Sequence, residues 1–114
     1  MEPAHALAEL LVAAPQVQAA TVFGRHNERL GSVGISGSVT AAIGAGRALL
    51  AGAAEFRGVG EATQIHATLG GGDVFVVAEH GGRAILAVTS AGQPAGLVFH
   101  DLKRCLASIA GVQE

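Results

Sequence analysis

The chain has 114 residues, of which half are apolar and 14% are charged, with a formal net charge of −2 and one cysteine. This length suits one domain spanning 1–114, and the apolar content argues against intrinsic disorder. No apolar stretch reaches the roughly 20 residues that span a bilayer, which excludes membrane insertion. An acidic start unlike a signal peptide and the unpaired Cys105 favour a reducing cytoplasm.

Basic and aromatic residues are too few for a nucleic-acid partner. Lys103 and Arg104 are the only adjacent basic pair, and the chain has neither Trp nor Tyr. Binding to nucleic acid needs a cationic track for phosphates or a stacking surface for bases. The sequence predicts neither.

The N-terminal half predicts a helix, a β-hairpin and a second helix. Segment 4–14 carries apolar residues at amphipathic spacing and ends before Pro15. Residues 16–23 and 30–36 predict two strands joined through 25–28. The small-residue segment "VTAAIGAGRALLAGAAEF" predicts a helix from Val39 to about Phe56, with cap residues among 36–38.

The C-terminal half predicts three strands and a last helix. "TQIHATL" alternates, with Gln64, His66 and Thr68 on the wet face. "VFVVAEH" and "RAILAVTS" follow, joined by a two-residue turn at Gly81-Gly82. The final helix carries its apolar stripe through Val98, Leu102, Cys105 and Ile109. The predicted order is α-β-β-α-β-β-β-α, an α+β fold whose five-stranded antiparallel sheet has helices on its faces.

Glycine-rich segments raise the possibility of a nucleotide site. Residues 70–73 join two predicted strands, whereas a phosphate cradle leads from a strand into a helix. We therefore interpret them as a turn. Residues 31–39 match neither of the nucleotide-binding motifs G-x-G-x-x-G and G-x-x-x-x-G-K. The segment "GAGRAL" begins like the first of these motifs, but it lies inside a predicted helix.

Motifs for catalysis, metal binding or cofactor binding are missing from the sequence. It contains no G-x-S-x-G elbow, and Cys105 lies on an apolar helical stripe, where a packed thiol is commoner than a nucleophile. The histidines show no metal-ligand spacing. We expect no enzyme activity, no cofactor and no metal.

The second predicted helix is unusual because its only clearly polar side chains between Val39 and Ala54 are Thr40 and Arg47. A helix on the surface of a monomer normally has a wide charged face. We interpret one side of this helix as covering the sheet and the other side as packing against a second copy of the chain. The alternative is that the second side faces solvent and that its small residues only reflect a composition rich in Gly and Ala. The strand "TQIHATL" lacks charges that would blunt pairing at a sheet edge. The predicted homodimer interface comprises Ala42, Gly46, Leu49, Ala53, Phe56, Gln64, His66 and Thr68.

Four stretches carry a family resemblance: "LAELLVAAPQVQAATVFGRHNERLGS", "AAIGAGRALLAGAAEF", "IHATLGGGDVFVVAEHGGRAILAVTS" and "PAGLVFHDLKRCLASIAG". In these patterns of apolar and small residues the chain resembles the Roadblock/dynein light chain family, which includes bacterial MglB-type regulators of Ras-like GTPases. The resemblance implies a profilin-like α/β sandwich that dimerises through its second helix and third strand. It also implies binding of other proteins without chemistry of its own.

Three functions compete on this basis. The first is a homodimeric regulator or scaffold that binds a Ras-like small GTPase. The second is a structural adaptor for a sensor-kinase or motor-type complex, without effect on nucleotide turnover. The third, a small-ligand sensor or enzyme of profilin-like shape, needs a polar pocket that the sequence does not indicate. Arg25, Arg29 and Arg83 lie in or beside predicted turns and are candidate GTPase contacts, although exposed arginines are usually only solvated.

Overall fold

A computed structural model describes residues 2–34, 39–57, 64–69, 72–79 and 82–109, with only the backbone described for 39–42, 53–57 and 69. The elements in chain order are α1 (Pro3–Ala13), β1 (Val17–Phe23), β2 (Arg29–Val33), α2 (Val39–Arg57), β3 (Gln64–Leu69), β4 (Gly72–Ala78), β5 (Ala84–Thr89) and α3 (Ala95–Ser108). This order confirms the predicted α-β-β-α-β-β-β-α arrangement.

The five strands form one antiparallel sheet in the order β2-β1-β5-β4-β3. The hairpin β1–β2 and the meander β3–β4–β5 are joined where β1 pairs with β5, as in Thr21 opposite Leu86. The sheet therefore has two edges, β2 and β3.

Helices cover both faces of the sheet, and successive strand residues alternate between them. On β1, Val22 belongs to the core under α1 and α3, whereas Phe23 belongs to the core under α2. Phe75 and Val76 divide in the same way on β4. This period of two places a hydrophobic layer on each side of the central strands.

Helices α1 and α3 follow their predicted stripes. Pro3 stands in the first turn of α1, where its missing N–H costs nothing. Leu7 and Leu10 of α1 are buried, as are Val98, Leu102 and Cys105 of α3. These residues fill the core between the two helices and the sheet.

Two predicted boundaries differ from the structure. The strand predicted over 30–36 ends at Val33, because Gly34 takes a positive φ of 74° that turns the chain away; 35 and 36 lie outside the described residues. The predicted turn over 70–73 is also too long. Leu69 pairs with Gly72, so β4 begins there and Asp73 is a buried strand residue.

The close approach of β5 explains the glycine at position 72. A Cβ on Gly72 would collide with the carbonyl oxygen of Thr89, so no side chain fits. Of the predicted two-residue turn at Gly81-Gly82, residue 81 lies outside the described residues. The Glu79 N–H donates to the Arg83 oxygen (2.9 Å), and the Gly82 N–H donates to the Glu79 oxygen (3.0 Å). Gly82 has a φ of 92°, in the left-handed region that favours glycine in a hairpin loop.

Candidate interaction surface

Strand β3 lies at the edge of the sheet, where its second side has no partner strand among the described residues. Its Gln64, His66 and Thr68 side chains are exposed, and Ile65 and Ala67 are half-buried toward α2, which confirms the predicted alternation. The six residues of β3 include no proline, lysine or carboxylate. Natural edge strands use such residues to block pairing, so this edge is open to another strand.

Helix α2 presents a second unprotected surface. Its side away from the sheet, here called the outer face, consists of the exposed residues Gly44, Ala45, Ala48, Leu49, Ala51 and Gly52. Every member is apolar or glycine, and Leu49 keeps 40% of its surface exposed. A small, smooth face lets another helix backbone come close.

Gly46 does not belong to the outer face, which corrects its predicted place. It is buried against the sheet, and an added Cβ would lie 3.1 Å from Leu86 Cδ1 and 3.4 Å from Phe23 Cζ. Gly46 stands three residues after Ile43 and four before Leu50, and both of these residues are buried. That spacing is the signal in the sequence by which Gly46 could have been placed on the sheet side.

The other predicted interface positions divide into two groups. Leu49 is exposed on α2, and Gln64, His66 and Thr68 are exposed on β3. The side chains of Ala42, Ala53 and Phe56 lie outside the described residues.

Arg47, the one charged residue of α2 before Glu55, turns away from the outer face. Its Nη2 donates to the carbonyl oxygens of Gly24 (2.7 Å) and Gly82 (2.8 Å), and its Nε donates to Asn27 Oδ1 (3.0 Å). The guanidinium also lies 5.1 Å from the Phe23 ring centroid. Arg47 thereby fastens α2 to two hairpin loops and leaves the outer face without charge.

The exposed face of β3 holds a hydrogen bond between His66 and the buried Asp73 that sequence reasoning missed. His66 Nε2 lies 3.1 Å from Asp73 Oδ2, and the His66 ring stacks on Phe75 with centroids 4.2 Å apart. The Asp73 side chain is only 4% exposed, and its Oδ1 has no hydrogen-bond partner among the described residues. The spacing His66-x₆-Asp73 gives no signal by itself, because only strand pairing makes the two residues neighbours.

The three arginines considered as GTPase contacts differ in availability. Arg83 is committed within the chain: Nε donates to Glu79 Oε1 (2.8 Å), and its Nη atoms donate to the oxygens of Ile109 (3.3 Å) and Leu106 (3.4 Å) at the end of α3. Arg83 thereby supplies donors to carbonyl oxygens at the C-terminal end of α3. Arg25 and Arg29 are exposed.

Within the described part of the chain, no three His, Cys, Asp or Glu side chains are placed to hold a metal ion. Cys105 is buried, and its thiol points to the Ala6 oxygen at 3.6 Å. Burial, and secondarily the Glu9 charge, raises the pKa of Cys105 to about 11, which makes it a poor nucleophile. The described helices include none with the length and hydropathy of a membrane span.

The element order, the strand order and the helices on both faces define the Roadblock/LC7 fold. The Roadblock/LC7 domain of Streptomyces avermitilis superposes with a TM-score of 0.77, at 15% identity over 90% of this chain and 89% of that one. Myxococcus xanthus MglB superposes with a TM-score of 0.79, at 14% identity over 97% of this chain and 86% of that one. An MglB with a tetrameric arrangement gives 0.69, at 18% identity over 93% and 83%. Neither a protein-family model nor a curated protein sequence matches, so the relationship is one of fold.

Proposed function

We propose that the chain is a cytoplasmic, non-catalytic homodimer, built from one Roadblock-like domain, that binds a Ras-like small GTPase and modulates its activity or localisation. The observation that carries the proposal is the outer face of α2, which is exposed, apolar and made of small residues. The MglB structures share the fold at less than 20% identity and support the same class of regulator.

Two copies related by a two-fold axis would cover both unprotected surfaces in one contact. The outer faces of two α2 helices would pack together, and two β3 edges would pair into one continuous sheet. Within a single chain, an added Cβ at Gly44 or Gly52 would meet nothing within 4 Å. A glycine inside a helix costs about 0.5–1 kcal/mol relative to alanine, and a close neighbouring helix would offset that cost.

The dimer is tested by sedimentation of matched charge variants. The wild type is expected to sediment as a dimer at micromolar concentration. Ala48→Arg places a charge in the middle of the outer face and is expected to give monomers, since burying an unpaired charge is strongly unfavourable. Val12→Arg is the control, because Val12 is 82% exposed on α1, on the opposite face of the sheet. A monomeric wild type, or equal behaviour of the two variants, would contradict the dimer.

GTPase binding is tested with purified Ras-like GTPases from the native host, each loaded with GDP or a non-hydrolysable GTP analogue. We expect the wild-type dimer to bind one of them and to change its rate of nucleotide hydrolysis or exchange, and Ala48→Arg to lose the effect. Binding without any change in turnover would instead establish the adaptor function. Failure to bind any of these GTPases would contradict the proposed function.

A further inference from the structure

Helix α3 and strand β4 border an open cleft on the sheet face opposite α2. Phe99 of α3 packs edge-to-face on Phe75 of β4, with centroids 5.2 Å apart. One and two turns further along the helix, Lys103 and Leu106 reach the level of Val77. The cleft begins there and is lined by Val77, Ala78, Glu79, Lys103 and Leu106.

The cleft has the size and lining for one aliphatic side chain. Its volume is about 180 Å³. Val77 and Leu106, which are 4% and 2% exposed, form its apolar floor, and the half-buried Ala78 adds an apolar wall. A cavity of ~150 Å³ with aliphatic walls is large enough to hold benzene. A branched aliphatic side chain from another molecule would therefore fill this space and displace water from apolar surface.

Charge at the rim of the cleft favours an anion. The Glu79 carboxylate is already paired with Arg83, at 2.8 Å. Lys103 is exposed and forms no ion pair or hydrogen bond with a described residue. Among the charged side chains that the structure describes at this rim, the Lys103 ammonium is the one without a partner.

A second cleft, between α1 and α3, has charged residues of both signs at its rim. It measures about 130 Å³, and Glu9 and Asp101 stand beside Arg104 on its rim. Charges of both signs select no ligand charge.

We propose that the α3–β4 cleft binds a segment of a partner protein in which an aliphatic side chain lies next to a carboxylate. The aliphatic group occupies the space between Val77, Ala78 and Leu106, and the carboxylate pairs with Lys103. The cleft is on the sheet face opposite α2, so the dimer contact proposed through α2 does not cover it. The chain then has a docking site separate from the surface proposed for self-association.

The first test uses N-acetyl-L-leucine, which combines an isobutyl side chain with a carboxylate, in an NMR titration of the full chain. Amide shifts are expected at Val77, Ala78, Lys103 and Leu106. The matched probe N-acetyl-L-leucinamide lacks the carboxylate and is expected to bind about fivefold more weakly, the upper range for an exposed ion pair. Equal affinity for the two probes, shifts confined to other residues, or no shifts at millimolar probe would overturn the proposal.

Two variants test whether Lys103 is the basic residue that pairs with the carboxylate of the probe. Lys103→Gln is expected to remove the preference for the acid over the amide. Arg104→Gln, one residue away but on the rim of the α1–α3 cleft, is expected to keep it. Equal loss in both variants would show general attraction by a basic helix and overturn the assignment. Native-like dispersion of the amide spectra establishes that both variants fold.

A selection of random 12-residue peptides on the wild-type chain tests the recognition of protein segments. We expect enrichment of Leu, Ile or Val next to Asp or Glu, and a change toward basic residues on Lys103→Glu. Enrichment without an acidic position would contradict the proposal.

Repeating the titration on Ala48→Arg tests whether the cleft works independently of the dimer. Unchanged probe binding by this variant supports the cleft even if self-association fails. Loss of probe binding would show that the cleft depends on the dimer and would overturn the proposal of a separate site.

Discussion

Asp73 is a carboxylate with almost no contact with water, on the middle strand of the meander. A buried charge is tolerated only when it is paired and hydrogen-bonded. Its one partner among the described residues is His66, which reaches it from the edge strand at 3.1 Å. The stability of this corner of the sheet therefore depends on a side chain that is itself partly exposed.

Replacing His66 by phenylalanine tests this dependence, because Phe keeps an aromatic ring over Phe75 and removes the hydrogen bond to Asp73. We expect the free energy of unfolding to fall by about 2 kcal/mol, the cost of leaving a buried polar group without a partner. In an Asp73→Asn background the same substitution should cost less than half as much. Urea denaturation measures all four proteins, and an equal cost in both backgrounds would show that the pair is not coupled.

The raised pKa of Cys105 leads to a pH-dependent prediction. Its pKa is raised from 9.0 to about 11, so the native thiol stays protonated while the unfolded thiol ionises. Stability due to the protonated thiol is complete below pH 9 and is lost as the pH rises toward 11. At pH 8, iodoacetamide should label the native protein about 100-fold more slowly than the urea-unfolded one, because two pKa units change the thiolate fraction by that factor. A native labelling profile with its midpoint near pH 9 would contradict the prediction.

Helix α2 is held on the sheet by two adjacent residues of opposite character. Gly46 lets the helix backbone approach Leu86 and Phe23. Arg47 reaches over the end of the sheet to the loops after β1 and β4. The glycine sets the distance between α2 and the sheet, and the arginine fixes the helix along the strands. The outer face can then be presented as a rigid surface.

Arg47→Met tests the role of the arginine, since methionine keeps much of the aliphatic stem and removes every donor. Loss of three hydrogen bonds at a partly buried site is expected to lower the free energy of unfolding by about 2–3 kcal/mol. Arg104→Met, in an exposed arginine without such bonds among the described residues, should change it by less than about 0.5 kcal/mol. Thermal or urea unfolding measures both. Similar values would show that the contacts of Arg47 contribute little.

At the scale of the whole molecule, helix α2 carries two glycines that the packing of the described residues does not require. Gly44 and Gly52 have open space where a side chain would stand, in contrast to Gly46. If the outer face stays in water, alanine at these positions can only strengthen the helix. If a second α2 packs there, the added methyl groups separate the two backbones.

Gly44→Ala combined with Gly52→Ala distinguishes these cases. We expect the isolated chain to gain about 0.5–1 kcal/mol per site from helix propensity, while the dimer becomes weaker. Sedimentation and urea unfolding over a range of protein concentrations measure the two effects separately. Increased stability with unchanged association would mean that the outer face does not lie in the interface.

The amino-acid sequence by itself determined the kinds of elements and their order, and it showed that the third strand lacks the charges that protect a sheet edge. Those features depend on local spacing: a period of two along β3, a stripe through Val98, Leu102 and Cys105, and glycines between segments. Leu49 and the side chains of Gln64, His66 and Thr68 are exposed, and their place in a dimer interface stays a prediction.

Only the tertiary structure decided which side of α2 meets the sheet and which polar groups pair. An apolar helix has no polar stripe to orient it, so Gly46 was predicted at the dimer interface, and its contact with Leu86 and Phe23 places it on the sheet side instead. Asp73 meets His66, and Arg47 meets Gly24 and Gly82, across strands and loops distant in sequence. Spacing along the chain reports neighbours within one helix or strand, whereas these contacts form only when separate elements pack together.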